Sequence, residues 1–511
     1  MFNATNILIA LTIVAYLAMV VYVGFKFSRQ NKDTDDFFLG GRKLGPFVTA
    51  MSAEASDMSS WLLLGLPGVA YLSGLADASW TAIGLAVGTY LNWLIVSRKI
   101  RRYSVKINAI TIPEFFTKRY HDAHNILQTI AAVVIVIFFI PYTGSGFAAC
   151  GKLFKSLFGV DYHMAMIIAA LIIAIYTTLG GFMAASTTDF IQSIVMTIAI
   201  ITVFGFGVSV AGGWSAVVDN ASKLPGFLSL VKTYSPATGE ASPYSLLTIC
   251  STCAWGLGYF GMPHILLRFM AARKEEELTL SRRIASVWVV ISMAVAILIG
   301  VVGLGMSHVG AIETLEGSAS ETVLVKIATL LSQNNALCAI IAGVILAGVL
   351  AATMSTADSQ LLAAASSITE DLLSSSFGIK FTAKTQMLVA RISVIVISLF
   401  GMIIAWNPDS SVFKIVSFAW AGFGAAFGPV VLLALFWKRS NLPGAVAGMI
   451  TGGVMIFVWK FVIAKLGGAF AIYELLPAFV IAIVVNVVVS LATKAPSDEM
   501  VREFDEVTAG K

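Results

Sequence analysis

The feature that most constrains this chain is the repetition of apolar runs about 20 residues or longer, the length an α-helix needs to cross roughly 30 Å of hydrocarbon. About thirteen such spans, numbered 1–13 in chain order, lie at 5–27, 45–72, 77–97, 124–152, 162–183, 187–211, 244–270, 284–308, 335–372, 385–406, 412–437, 443–465 and 471–492. Span 9 is too long for one straight crossing and is expected to run past the membrane as an ordinary helix. The composition leaves little room for another solution. The chain has 511 residues, 58% of them hydrophobic and 12% charged, with a mean hydropathy of +0.88. A soluble domain of that size has too little interior to hide so much apolar surface. The expectation is an all-α polytopic membrane protein, with residues 1–511 forming a single membrane domain.

The first span has no basic residue before its apolar core and is longer than a signal-peptide core, so it is expected to be retained. Orientation follows from the 33 Lys and Arg residues. They crowd into the loops on one face: from Lys26, Arg29 and Lys32 to Lys43, from Arg98 to Arg119, from Arg268 to Arg283, and in the tail to Lys511. Only Lys152, Lys155, Lys223, Lys232, Lys326 and Lys465 fall on the other face. Positive residues stay on the cytoplasmic side, so the N-terminus is expected outside, the C-terminus inside, and residues 493–511 form a short charged cytoplasmic tail. The outer segment 212–243 reads as a surface loop with one short helix. The chain carries no P-loop, Rossmann glycine pattern or catalytic-triad spacing, so no attached kinase or nucleotide-binding module is expected. RKIRRYSVK at 98–106 reads as a topology signal. Cys250 and Cys253 form a CxxC inside an apolar span without a second pair, so neither a transition-metal site nor a disulfide is expected.

Polar residues inside the spans carry the functional signal, because ionisable groups at membrane depth are costly and mark binding or conduction paths. Span 2 contains SAEASDMSSWLLLGLPG at 52–68, with Glu54, Asp57 and four serines. Serine hydroxyls compete for backbone hydrogen bonds, and Pro67–Gly68 weaken the later part of the helix. A helix unwound near Ala55–Ser60 is expected, freeing carbonyls that are hard ligands for a small cation. Span 7 contains WGLGYFGMP at 255–263, poor material for an unbroken helix. Its Trp255, Tyr259 and Pro263 suit a small organic solute. Two interrupted spans in corresponding halves point to a transporter binding site; here they open two five-span units, 2–6 and 7–11, of opposite topology. In span 9, LAATMSTADSQLL at 350–362 sets Ala352, Ser355, Thr356 and Ser359 on one stripe. That stripe reads as a Na⁺ ligand set or as a small-residue packing face. Asp358 lies off it and is expected in a polar or cytoplasm-facing position. Asp189, near the inner interface, is open between an ion contact, an exit-path residue and an interfacial cap. His264 is expected to be a packed helix residue.

These stretches, with SSITEDL at 366–372 and WAGFGAAFGPVVL at 420–432, resemble the sodium/solute symporter family, and within it the sodium/proline symporters. The resemblance covers most of the chain. It implies a leucine-transporter-like fold with inverted five-helix repeats at 45–211 and 244–437, alternating access, and Na⁺ as the coupling ion. It further implies a sodium site from main-chain oxygens of Ala55, Met58 and Ala352 with the hydroxyls of Ser355 and Thr356. By the same resemblance Asp57 is expected to support ion coupling and Asp189 to belong to the sodium-dependent machinery, and Tyr142, Trp255, Tyr259 and Pro263 are expected to line a proline pocket with Ser60 at its floor. Ser60 and Glu54 depart from the close pattern, which has glycine at both positions. The expected partners are a small solute (proline first), Na⁺ and the plasma-membrane bilayer, with no nucleic acid and no obligate protein partner. The alternatives are a Na⁺ symporter for another small amino acid or carboxylate, a membrane solute sensor, or a membrane-embedded enzyme.

The charge bias makes a direct prediction. A fluorescent reporter fused after Lys511 is expected to light up, and alkaline phosphatase fused there to be inactive; the reverse pattern would invert the topology.

Overall fold

The computed structural model describes residues 4–28 and 34–509; Arg29, Lys32 and Lys511 lie outside them. Helices occupy all thirteen expected spans. Among the described residues, ten are long and apolar enough to cross a membrane by themselves, and three shorter apolar helices, Trp61–Ser73, Tyr162–Thr178 and Leu246–Gly261, fill spans 2, 5 and 7. Their outer faces are apolar. In the last span Val480, Val484 and Val488 are each about half exposed, 50%, 53% and 57%. A stripe at four-residue spacing faces outward along one side of the helix, and so broad an apolar surface suits lipid rather than water.

Spans 5 and 6 are two helices joined end to end at a kink at Gly181, whose φ of 68° only glycine adopts freely. Span 9 packs along this bent element, and span 1 lies against both. Span 11 packs on the interrupted part of span 7 and on span 4, and spans 12 and 13 pair with each other. The glycines of span 7 have a steric cause. A Cβ at Gly256 would sit 2.1 Å from the carbonyl oxygen of Gly84 in span 3, and one at Gly258 would sit 2.0 Å from Trp420 Nε1 in span 11. Only hydrogen-sized side chains allow three backbones to meet there.

The structure corrects several expectations. Beyond its helix Ala336–Ser366, span 9 continues not as an ordinary helix but as a wider π-helical stretch, Ser367–Ser376. There Asp371 is buried and accepts from Thr111 Oγ1 (2.9 Å) and Gln128 Nε2 (2.8 Å). The segment 212–243 holds the expected helix, Trp214–Ser222, and also a two-stranded antiparallel hairpin, Lys232–Ser235 with Glu240–Pro243, turning through the Pro-Ala-Thr-Gly stretch. The tail forms a helix, Asp498–Thr508, that buries Met500, Phe504 and Val507. Arg102 donates to its Val507 carbonyl (2.6 Å) and Lys106 pairs with Glu506, holding that carboxyl below the usual range.

Gly258→Ala forces Trp420 or the backbone to shift. The expected cost is about 1–3 kcal/mol of overpacking, read as a lower melting temperature in detergent; an unchanged value would contradict the packing described.

Candidate functional site

Span 2 breaks where the serines and acids cluster. Helix Pro46–Asp57 ends at Met58 (φ −74°, ψ 68°), and the chain resumes as the π-helical turn Trp61–Gly65 and helix Leu66–Ser73. Unwound backbone inside a membrane persists only where protein satisfies it. Trp61 Nε1 donates to the Asp57 carbonyl (3.0 Å), and Tyr142 of span 4 reaches the same oxygen at 3.4 Å. The Ala55 carbonyl receives Ser355 Oγ of span 9 at 2.8 Å. Ser355 Oγ and Thr356 Oγ1 each lie 3.2 Å from the Ala352 carbonyl. Four oxygens, two carbonyl and two hydroxyl, thus converge between the broken span and span 9. All four belong to buried residues. Neutral hard oxygens without a carboxylate cage fit a monovalent ion better than Ca²⁺.

Span 7 breaks at the matching level. A 3₁₀ turn, Ala254–Gly261, passes through extended Met262 into helix Pro263–Ala271. Its carbonyls are held from outside: Asn92 Nδ2 donates to Tyr259 (3.0 Å) and Trp420 Nε1 to Trp255 (2.7 Å). Tyr259 Oη donates to Asp57 Oδ2 at 2.6 Å and so joins the two breaks. The Trp255 ring lies among Trp61, Phe413 and Tyr473, with centroids 6.2, 5.2 and 5.3 Å away. Asp57, Tyr142, Trp255 and Tyr259 are therefore one buried cluster. Pro263 opens the helix beyond the second break. The buried hydroxyl of Ser60 has no partner among the described residues. Beside the cluster a narrow seam runs between Ser59, Tyr142, Thr143, Thr356 and Gln360.

Beyond the breaks the structure assembles a network that charge counting by loops misses. Arg268, expected in a cytoplasmic loop, is 1% exposed, and Asp358, expected in a polar or cytoplasm-facing position, is fully buried in a polar one beside Ser359. Arg268 donates through Nη2 to Asp189 Oδ2 (3.2 Å) and Ser359 Oγ (2.5 Å), and through Nε to Ser52 Oγ (3.0 Å); Ser52 in turn donates to Asp189 at 2.6 Å. Asp189 thus joins spans 2, 6, 7 and 9 rather than capping an interface. Arg268 is legible only by its offset from Pro263, five residues into a short helix rather than beyond it. His264 is buried against Phe139. Glu54 Oε1 accepts from Thr89 Oγ1 (3.0 Å) and Trp93 Nε1 (2.7 Å) of span 3. Trp61 and Trp420 lie inside the sequence motifs, whose pattern alone gives them no role; each supports a freed carbonyl.

Residues 37–452 match the model of the sodium:solute symporter family. The chain belongs to this family. A sodium/proline symporter of Staphylococcus aureus is 38% identical over 502 residues, covering 97% of this chain and 94% of that one. Among solved structures, a Na⁺-coupled sialic acid symporter in a substrate-bound outward-open state superposes with a TM-score of 0.77 at 18% identity, over 96% of this chain and 99% of that one. A nucleobase–cation symport-1 family transporter in a closed conformation superposes at 0.56 and 15% identity, over 92% and 98%. The leucine-transporter-like fold expected from the sequence is the one observed. The protein is a multi-span Na⁺-coupled symporter and not an enzyme, with sodium as the coupling ion.

Removing Arg268 leaves Asp189 buried without its counter-charge. Arg268→Met is expected to cost about 3–5 kcal/mol, seen as loss of folded protein in detergent. Arg268→Met combined with Asp189→Asn is expected to recover much of it; a single variant as stable as the parent would contradict the pairing.

Proposed function

We propose that this symporter imports L-proline with Na⁺ by alternating access across the plasma membrane, with its N-terminus outside and its C-terminus in the cytoplasm. The observation that carries the ion site is the meeting of the Ala55 carbonyl with Ser355 Oγ at 2.8 Å, beside Ala352 and Thr356. In this reading the carbonyls of Ala55, Met58 and Ala352 and the hydroxyls of Ser355 and Thr356 hold Na⁺, and Asp57 supports coupling. Asp189 is an accessory group, acting through Arg268 and Ser52. The two structural repeats span 45–211 and 244–437.

Na⁺ joins span 2 to span 9 and favours the form in which the solute pocket is complete. The solute sits at the breaks between Asp57, Ser60, Tyr142, Trp255, Tyr259 and Pro263. Its carboxylate turns toward backbone N–H groups at a broken helix, whose N-terminal end favours anions; its ring packs on the aromatic cluster. Ion and solute shift the inward–outward equilibrium only through their different affinities for its states. One Na⁺ entering down about 100 mV contributes ~2.3 kcal/mol, and a tenfold gradient about 1.4 kcal/mol more. That sum supports accumulation of a zwitterion by a few hundredfold.

Proline is supported by the name of relatives similar over nearly the whole chain. One observation favours a different small amino acid: the Ser60 hydroxyl, buried without a partner, is suited to a polar substituent on the solute. Uptake of labelled proline into proteoliposomes, with a solute panel in competition, separates the two. An inward Na⁺ gradient is expected to drive accumulation, and the Ser355→Ala, Thr356→Ala double variant to lose it. Uptake indifferent to Na⁺, or unaltered in the variant, would overturn the assignment.

A further inference from the structure

The basic segment 98–106 has a partner that its reading as a topology signal does not foresee. It forms helix Ser97–Lys106 at the end of span 3, and the tail helix Asp498–Thr508 lies against it. Met500, Phe504 and Val507 recur at i, i+4 and i+7 as one buried apolar stripe. The polar groups beside that stripe reach several segments. Lys106 pairs with Glu506, and Arg102 Nη1 donates to the Val507 carbonyl (2.6 Å). His121 Nε2 lies 3.1 Å from Glu503 Oε2, and Lys438 Nζ lies 4.0 Å from Asp505 Oδ1. Arg102 also grips Glu275, in the loop after span 7, through Nε (3.0 Å) and Nη2 (2.5 Å).

These contacts gather the ends of particular spans. Arg102 and Lys106 follow span 3, His121 precedes span 4 and Lys438 follows span 11. The same three spans supply Asn92, Tyr142 and Trp420, which hold freed carbonyls at the two breaks. Separating the ends of these spans requires the tail to let go.

The tail is held in a way that lets it go. Its ionic contacts face water: the side chains of Lys106 and Glu506 are 42% and 49% exposed, and those of Lys438 and Asp505 61% and 57%. Such pairs are weak and are screened by salt. Docking also carries a cost. Arg119 is fully buried, with the rings of Tyr103, Tyr120 and Phe504 centred 5.4, 5.1 and 5.3 Å from its guanidinium carbon. Its Nε donates to the Ala434 carbonyl (3.0 Å), but Nη1, Nη2 and the Tyr103 hydroxyl have no hydrogen-bond partner among the described residues. Buried donors without acceptors are costly. Phe504 is the wall that the tail supplies, and its withdrawal opens a route for water to these donors.

We propose that the tail helix is an autoinhibitory brace. Docked, it ties spans 3, 4 and 11 together at their basic ends and slows the opening of the transporter on that face. Screened by salt, it detaches and lets that face open. The inference rests on the proposed alternating access, to which it adds a restraint.

Two readouts on the full-length protein test it. Hydrogen exchange of the amides at 498–508, measured in detergent, reports docking without transport. It is expected to quicken severalfold between about 0.01 M and about 1 M KCl, which shortens the screening length from about 30 to about 3 Å. The Glu503→Gln, Glu506→Gln double variant is expected to exchange quickly at both. Uptake in proteoliposomes under a fixed Na⁺ gradient, with equal KCl on both sides, reports the restraint. The parent's maximal rate is expected to rise about two- to fivefold with KCl, the size of one weak exposed pair. The double variant is expected to be fast at low salt and indifferent to it. Lys106→Glu is expected to behave likewise, and its combination with Glu506→Lys to restore the slow, salt-responsive rate. Tail exchange that ignores salt, or a parent rate that does not rise with it, overturns the brace even if no variant folds. So does a folded double variant slower than the parent. Absence of Na⁺-driven uptake of every solute tested would instead defeat the proposed function, while the exchange still reads the tail.

Discussion

The structure depends on how two stretches of unwound backbone are satisfied in a place without water. Each peptide group left unpaired in hydrocarbon costs several kcal/mol, so a break survives only where neighbours supply donors. Here the donors come from other spans: Ser355 to Ala55, Tyr142 to Asp57, Asn92 to Tyr259 and Trp420 to Trp255. Trp61, just past the first break, also supports Asp57. Every break is therefore also a joint between spans. In the proposed function the ion takes over the same carbonyls that a hydroxyl satisfies here, which makes ion occupancy and the relation of span 2 to span 9 one variable.

That linkage explains why polar chemistry is concentrated so narrowly in a chain otherwise built for lipid. The outer faces are apolar, and four buried acids, Glu54, Asp57, Asp189 and Asp358, lie around the breaks of spans 2 and 7 and the helix of span 9 opposite them, while Glu321 and Glu474 are buried against lysines elsewhere. Tyr259 spans the two breaks through Asp57, which puts the aromatics proposed to face the solute and the backbone proposed to face the ion on one short path. Arg268 occupies one end of that path and holds four spans through Asp189, Ser52 and Ser359. A small change in oxygen positions at the ion site thus bears on elements at both ends.

Much of this is legible in the sequence because membrane crossing imposes a strong pattern. Span lengths, both interruptions and the hydroxyl stripe of span 9 follow from local composition, and each appears where its residues place it. Arg268 escapes because charge rules assume that a basic residue near a span end faces water, and only tertiary packing reveals that it faces Asp189 across spans. The supporting roles of Trp61, Trp420 and Asn92 depend on contacts between residues far apart in sequence, which no periodicity reports. The hairpin at 232–243 needs its turn to be read together with its flanks. The π-helical end of span 9 carries no local signal; it accompanies the buried Asp371 and its partners Thr111 and Gln128, both distant in the chain.

The central claim is that Na⁺ is held between the break of span 2 and the hydroxyls of span 9. Equilibrium binding of Na⁺ to the purified protein without solute tests it most directly. Trp61 serves as the reporter, since its indole hydrogen-bonds the Asp57 carbonyl within the break. The account predicts a saturable fluorescence change with Na⁺ that K⁺ does not produce, and that Ser355→Ala with Thr356→Ala weakens at least tenfold, the effect of about 1.4 kcal/mol. A Na⁺ response of unchanged affinity in that folded double variant would contradict it.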